Sequence, residues 1–459
     1  MEGRGLVGHA QCGIRLPSHI TPPIGEMDQD SPNWQHCLDC VAISDIGLRR
    51  ANNQDAKAVV MASSQEGFQQ RGHLFLVADG MGAHAAGELA SKLAAGVVPL
   101  TYHKLLDRSA PEALRAAIQD ANSQIHSRGQ ASEDFKGMGT TVDALVILPQ
   151  GALVAHVGDS RAYRLRGSKL EQLTFDHSLA WELQRAGRGA PGQGAPNVPK
   201  NIITRSLGPK PSVEIDLEGP LPIQVGDTFL LCSDGLSGQV SDEELGTILQ
   251  CLPPAEAIRV LVDLANLRGG PDNITVIIAR VTGPQVMAGA ATEQDGSPGG
   301  PGARPVHPLL WTLMGVFALA TAGLFGMGSA VPGLVGLIAA VVTGVAILVR
   351  RYSEWGPANQ FEGRLLGAGP YVRCDCTPTA EMVANLANVA QQLRDAAAGA
   401  DWTVDWQPFN RSSAQAEAAA GAGDYAGAVR QSCQAISFMM DQLRSQRSRK
   451  PDDSGVGLL

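Results

Sequence analysis

The feature that most constrains the fold is an apolar run from Leu74 that leads straight into Asp79-Gly80, a glycine-rich turn, His84 and an alanine-rich stretch. An apolar run that stops at Asp-Gly reads as a buried strand ended by a turn. The turn leaves a carboxylate, a carbonyl and a nearby imidazole at the end of a rigid element. Hard divalent cations take oxygen ligands of this kind, and Gly80 has no side chain to keep its own carbonyl at a distance. The pattern recurs. Phe229-Leu230-Leu231-Cys232-Ser233 delivers Asp234-Gly235, and Asp272 stands just before the apolar strand that begins at Ile274. Three aspartates at strand ends can converge on two cations about 3.5–4 Å apart, the spacing of two-metal hydrolase sites. One Asp-Gly alone is usually only a turn. The ordered set carries the argument.

That set extends along the chain as SDIGLRRANNQD (44–55), ADGMGAH (78–84), MGTT (138–141), VGDSR (157–161), LTFDHS (173–178), CSDGL (232–236) and PDNIT (271–275). Together these motifs resemble the bacterial form of the PPM, or type 2C, metal-dependent protein serine/threonine phosphatases, from Asp39 to Thr282. The resemblance implies an α+β fold, a four-layer αββα sandwich of two antiparallel sheets flanked by helices. It also implies two Mn²⁺ or Mg²⁺ ions, with Asp79 bridging them, the Gly80 carbonyl on one, Asp234 and Asp272 on the other, and Asp55 in the metal-binding set. Phosphoserine or phosphothreonine would then be hydrolysed by direct attack of a water held between the metals, without a covalent intermediate. The family motif places its phosphate-binding arginine five residues before the aspartate, which selects Arg50 over Arg49. A guanidinium fork suits the paired oxygens of a phosphate. His84, with an ordinary pKa near 6.5, is the candidate acid for the leaving alkoxide, or else it only orients the loop. Asp159 has two readings: a third, weaker metal site by resemblance, or a structural partner for Arg161.

Two positions depart from the pattern. Gln54 stands where the family has glutamate, which removes a negative charge near the metals. Ala83 replaces a glycine, which restricts the turn if a positive φ is needed there. Two competing functions follow: a membrane-tethered binding or scaffold module with the phosphatase fold and little turnover, and a small-molecule phosphoesterase.

At 459 residues the chain is long enough for more than one unit. Its net charge of −9 gives no support for nucleic-acid binding. The eight cysteines show no dense, even framework of the kind small secreted domains use. Residues 1–36 are Gly-, Pro- and His-rich without a continuous apolar segment and read as a disordered lead-in. The phosphatase-like domain spans 37–283, with helices expected over Ala85–Leu106, Pro111–Arg128, Ser241–Gln250 and Pro254–Leu267. Strands are expected over Met138–Leu148, Ala152–Leu165, Val213–Leu217 and Thr228–Cys232. Asp176–Lys200 is Gly- and Pro-rich and corresponds by resemblance to a variable flap that contacts protein substrates.

Residues 284–304 read as a flexible linker. From Pro305 to Val349, 45 residues carry no Asp, Glu, Lys or Arg. One continuous helix of that length would be about 65–70 Å long, over twice a ~30 Å hydrocarbon core. Two transmembrane helices, about 309–327 and 331–349, fit better. Arg304 and Arg350-Arg351 flank the pair, so the positive-inside rule places both soluble parts in the cytoplasm of an inner-membrane protein. Residues 352–459 read as a small helical domain, with helices near Pro378–Ala398, Ser413–Gly421 and Ala426–Gln446. Its GDY turn resembles one tetratricopeptide-type hairpin. The expected partners are phosphoserine and phosphothreonine proteins including a serine/threonine kinase, membrane lipid around the hairpin, and a protein partner for the C-terminal helices.

Overall fold

Strand β3 (His73–Ala78) alternates its side chains between two different cores, and that alternation explains the layering. In this computed structural model, which describes residues 37–83, 85–185, 202–287, 366–399 and 404–449 with Thr321 and Gly323, all six residues of β3 are buried. Leu74, Leu76 and Ala78 pack with Ala90, Ala94, Val98 and Ile118 of two helices. Phe75 and Val77 point the other way, into a second core shared with Phe229, Leu231, Ile277 and Ala279. Successive strand side chains face opposite sides, so a strand buried on both faces reads as a continuous apolar run rather than an alternating one.

Two antiparallel sheets result. The five-stranded sheet has the order β10 (Asp216–Leu221), β7 (Gly151–Val157), β6 (Val142–Leu148), β3, β2 (Ala56–Val60). The six-stranded sheet has the order β1 (Leu38–Asp45), β12 (Ile274–Val281), β11 (Thr228–Cys232), β8 (Arg161–Arg166), β9 (Lys169–Gln172), β13 (Val372–Asp375). A short pair, β4 (Gly80–Met81) with β5 (Gly139–Thr140), stands apart. Helices α2 (Ala86–Lys104) and α3 (Ala110–Ala131) cover the five-stranded sheet. The capping box of Ser109 and Glu112 starts α3 by satisfying backbone donors that the helix leaves open. On the far side, α6 (Asp242–Cys251) and α7 (Pro254–Leu267) cover the six-stranded sheet. The helix–sheet–sheet–helix order is the one expected. Helix α1 (Gln65–Arg71), α4 (Leu179–Arg185) and the one-turn α5 (Asp234–Ser237) are local additions.

Three expectations need correction. The strand expected over Ala152–Leu165 is broken at Gly158-Asp159-Ser160, where the chain crosses from one sheet to the other. Gly158 has φ +124°, and a Cβ there would lie 2.5 Å from a Thr141 methyl, so the extended strand cannot continue. The strand expected over Val213–Leu217 instead begins at Asp216 and runs to Leu221.

The third correction concerns the C-terminal helices, which are not a separate domain. β13 pairs antiparallel with β9, so the segment after Leu366 extends the six-stranded sheet itself. Helices α8 (Ala380–Gly399), α9 (Trp406–Gly421) and α10 (Tyr425–Arg449) share one apolar core with α6 and α7. Cys376 sits so close to Gly246 that a Cβ there would lie 2.2 Å from its sulfur. Thr247 Oγ1 donates to the Cys376 carbonyl at 3.1 Å, Arg430 Nε to the Cys251 carbonyl at 3.1 Å, and Arg444 pairs with buried Asp263. The α9–α10 turn uses Gly423 at φ +79°.

No helix among the described residues is long and apolar enough to cross a membrane. The spans expected at 309–327 and 331–349 lie outside the described residues, as do the 1–36 lead-in and residues 186–200 of the expected flap.

Candidate active site

Asp79 leaves the end of β3 and is held by its own backbone. Its N–H donates to Thr141 Oγ1 at 2.9 Å, and its carbonyl accepts from Thr141 N and Thr140 Oγ1, both at 2.9 Å. The next residue explains the Asp-Gly pair. A Cβ at Gly80 would lie 2.1 Å from the Gly87 carbonyl and 2.4 Å from the Gln54 carbonyl. Glycine is needed there because the start of α2 and the Gln54 loop close on that backbone.

Two more carboxylates, Asp234 and Asp272, arrive from the second sheet. Asp234 follows β11 and opens α5. Asp272 precedes β12 and accepts from Arg50 Nη2 at 2.5 Å. Asn273 ties the Arg50 loop down: its Nδ2 donates to the Ile46 and Asn52 carbonyls at 2.9 and 3.1 Å, and its Oδ1 accepts from Gln54 N at 2.7 Å. Gly47 has φ +78°, and a Cβ there would lie 2.2 Å from the Asp272 carbonyl. Asp55 accepts from Ser233 Oγ at 2.8 Å. Asp159 is buried in the crossover turn after β7.

These acids repel one another. Burial first, then the charges of Asp55, Asp234, Asp159 and Asp272, hold the Asp79 carboxyl well above the usual range. Burial also pushes Asp55 up to about 6, against hydrogen bonds from Thr275 and Ser233, with Asp234 and Asp272 adding to the rise. Asp159 is pushed up to about 7 by burial, then by Asp234 and Asp176. Asp234 is raised by burial and by Asp272. Buried oxygens of Asp55, Asp159 and Asp234 have no hydrogen-bond partner.

Among the described residues no three donors are gathered tightly enough to form a ready coordination shell. What the cluster shows is surplus negative charge and open oxygen valences, with Arg50 at its edge. Oxygen-only donors of this kind suit hard divalent cations. The residues present therefore fit Mn²⁺ or Mg²⁺.

Asp55, Asp79, Asp159, Asp234 and Asp272 are thus coupled in one place, and Arg50 rather than Arg49 reaches it. His84 lies outside the described residues. The reading of Asp159 as partner of Arg161 is overturned: Arg161 Nε sits 3.0 Å from both oxygens of Asp176, with Nη2 at 2.8 Å, so its charge is already matched. Gln54 Nε2 points to the Gly82 carbonyl at 3.4 Å. Among the described glycines of the loop, Gly82 takes a positive φ, +144°.

Sequence reasoning missed the positioning residues Thr140, Thr141, Ser233 and Asn273. All four stand inside the quoted motifs, yet each acts through long-range backbone contacts that adjacency along the chain does not show.

A protein phosphatase 2C family model matches residues 49–254. The protein phosphatase PhpP of Streptococcus pneumoniae is 37% identical over 241 residues, covering 51% of this chain and 94% of that protein. The serine/threonine phosphatase stp of Listeria welshimeri is 38% identical over 242 residues, covering 51% and 92%. A solved structure of the catalytic domain of the serine/threonine phosphatase PstP in complex with two manganese ions is 36% identical, with a TM-score of 0.45, covering 54% of this chain and 99% of that one.

Proposed function

Because this chain belongs to the PP2C-type serine/threonine phosphatase family, we propose that it hydrolyses phosphoserine and phosphothreonine in proteins, including a serine/threonine kinase, and does so at a membrane. The observation that carries the activity is the cluster of five mutually repelling aspartates with an arginine at its rim. Asp79, Asp234, Asp272, Asp55 and the Gly80 carbonyl would hold two divalent cations. Asp159, with its buried and unpartnered Oδ1, would serve a third, weaker position. Cations bound there supply Lewis acidity, lowering the pKa of water and offsetting phosphoryl charge.

The chain's own groups do the rest. Arg50 is oriented by Asp272, and its remaining N–H groups offer a fork to phosphoryl oxygens, whose charge grows in the transition state. Ser233 and the Thr140–Thr141 pair fix Asp55 and Asp79, so that little reorganisation is left for the reaction. His84 is assigned the proton delivered to the departing serine or threonine oxygen.

The membrane part rests on the 45 charge-free residues and their arginine flanks. One structural fact supports an even number of spans. The described segments before Met287 and after Leu366 hydrogen-bond within the same sheets, which supports placing both flanks on one side. The positive-inside rule makes that side the cytoplasm.

The test uses full-length protein in detergent, assayed on a phosphothreonine peptide with Mn²⁺, with EDTA, and as Asp234→Asn. Turnover that requires the metal and disappears in the variant is expected. A folded, metal-loaded protein without turnover would make the scaffold reading correct, and preference for a nucleotide over the peptide would make it a small-molecule phosphoesterase. For the hairpin, cysteines placed at 328–333 should label from outside only; labelling from the cytoplasmic side sinks the topology.

A further inference from the structure

The stretch Leu366–Cys376, which leads into the C-terminal helices, does more than pair with a sheet edge. It begins by exchanging backbone hydrogen bonds with Gly219, at 3.1 and 2.6 Å. It then closes around Glu218, a buried carboxylate of β10. Gly369 N donates to one Glu218 oxygen at 2.9 Å and Tyr371 Oη to the other at 2.6 Å. Gly367, at φ +79°, passes so near that a Cβ would lie 1.9 Å from the carboxylate. A buried carboxylate needs its charge answered by donors, and this strap supplies two of them.

From there two routes lead toward the aspartate cluster. Tyr371 N donates to the Gln172 carbonyl at 2.9 Å, and Gln172 Nε2 donates to Asp176 at 2.9 Å, the acid that holds Arg161. The Tyr371 ring also meets Phe175 edge-on, with centroids 5.5 Å apart. Phe175 in turn packs on Trp181 of α4 at 5.2 Å, and the Arg161 guanidinium lies over Trp181 at 5.7 Å. The stretch from Phe175 to Trp181 also holds the turn that carries Asp159: His177 N donates to the Gly158 carbonyl at 2.7 Å, and Gly158 N donates to His177 Nδ1 at 3.0 Å. The Phe175–Trp181 stretch therefore forms an edge of the candidate site, and the strap braces it from behind. The family model ends at residue 254, well before the strap begins.

We propose that the strap Leu366–Cys376 positions the Phe175–Trp181 edge of the active site, with Tyr371 as the positioning residue. The C-terminal helices thereby set how phosphoprotein substrates engage. The consequence for substrates rests on the phosphatase reading; the bracing itself does not. Edge-to-face aromatic contacts stabilise beyond the area they bury, enough to bias a loop without unfolding the core.

The test compares full-length wild type, Tyr371→Ala, Tyr371→Phe and Phe175→Leu in detergent. Tyr371→Phe keeps the ring on Phe175 and loses only the hydroxyl bond to Glu218. Phe175→Leu removes the aromatic contact from the other side and leaves the strap intact. Hydrogen exchange is read without turnover. In Tyr371→Ala and Phe175→Leu, amides of 173–182 should exchange about tenfold faster while those of β6 and β7 are unchanged. Kinetically, KM for a phosphothreonine protein should rise about five- to tenfold in both, and in Tyr371→Ala para-nitrophenyl phosphate turnover should stay within about twofold of wild type. Tyr371→Phe should stay near wild type on both readouts. Wild-type exchange over 173–182 in both Tyr371→Ala and Phe175→Leu would overturn the proposal. So would equal losses on the protein and the small substrate, which mark a merely structural role. Absence of metal-dependent turnover in wild type would instead defeat the phosphatase reading, and the exchange comparison would still decide the bracing.

Discussion

Two groups of buried acids are handled in opposite ways. Outside the site each has an answering donor or cation: Asp143 with His156 at 2.8 Å, Asp176 with Arg161, Asp227 with Arg166 at 2.6 Å, Glu218 with the strap, Asp263 with Arg444. Inside it, Asp55, Asp79, Asp159 and Asp234 face one another, and beyond burial it is other carboxylates of the cluster that raise them. Paired acids specify the scaffold. Clustered acids cost stability until something positively charged joins them. The difference separates architecture from function without reference to any relative.

The comparison breaks first at Asp79. Asp79→Asn should lower metal-dependent turnover by about a thousandfold or more, the scale expected when a group central to charge stabilisation is lost. In EDTA the same change, or Asp234→Asn, should leave thermal stability equal or higher, because it removes one of several like charges. A metal-free variant that melts well below wild type would show these acids to be scaffold.

Arg161→Ala tests the opposite class. It leaves Asp176 buried without its cation, and removing one partner of a buried pair costs about 3–5 kcal/mol. Urea unfolding of the variant at pH 8 would check this; a loss under about 1 kcal/mol would remove Asp176 from the paired class. Arg50→Ala should be smaller and visible in kinetics alone. KM for phosphopeptide should rise about tenfold or more, with Arg49→Ala near wild type. The reverse result would mean that the loop register is wrong.

How much of this was legible follows from locality. β3 and β11 were readable because an apolar run and its Asp-Gly stop are contiguous, and the helices α2, α3, α6 and α7 because their periodicity is local. The partner of Arg161 was not, since Asp159 is two residues away while Asp176 is fifteen, and only the crossover at Gly158 turns Asp159 from the arginine toward the cluster. β13 was invisible because VRCD, although it alternates apolar and polar residues, is only four residues long, and it becomes a strand only by adding to the edge of β9. The same non-local pairing made residues 352–459 look like a domain of their own. Chain separation hid the contacts of Asp263 and Glu218 with that region.

Arg444→Ala gives the smallest effect and tests whether that C-terminal packing obeys the scaffold rule. Burial pushes Asp263 up to about 6, against the pull of Arg444. An acid whose folded pKa lies above its ordinary 3.8 contributes stability that is fully present below that value and is lost as pH rises through about 6. Arg444 limits that loss by favouring the ionised form. Without it the folded pKa rises further and the loss deepens. The Arg444 side chain is 48% exposed, so solvent screening reduces the effect to about 1–2 kcal/mol at pH 8. Between pH 5 and 4 Asp263 is increasingly protonated in both proteins, and the difference should fade. Hydrogen exchange of the α8–α10 amides at pH 8 and pH 4.5 reads this directly. Faster exchange in the variant at pH 8 and near-equality at pH 4.5 are expected. A difference independent of pH would mean that Arg444 holds the helices by the packing of its stem and not by its charge.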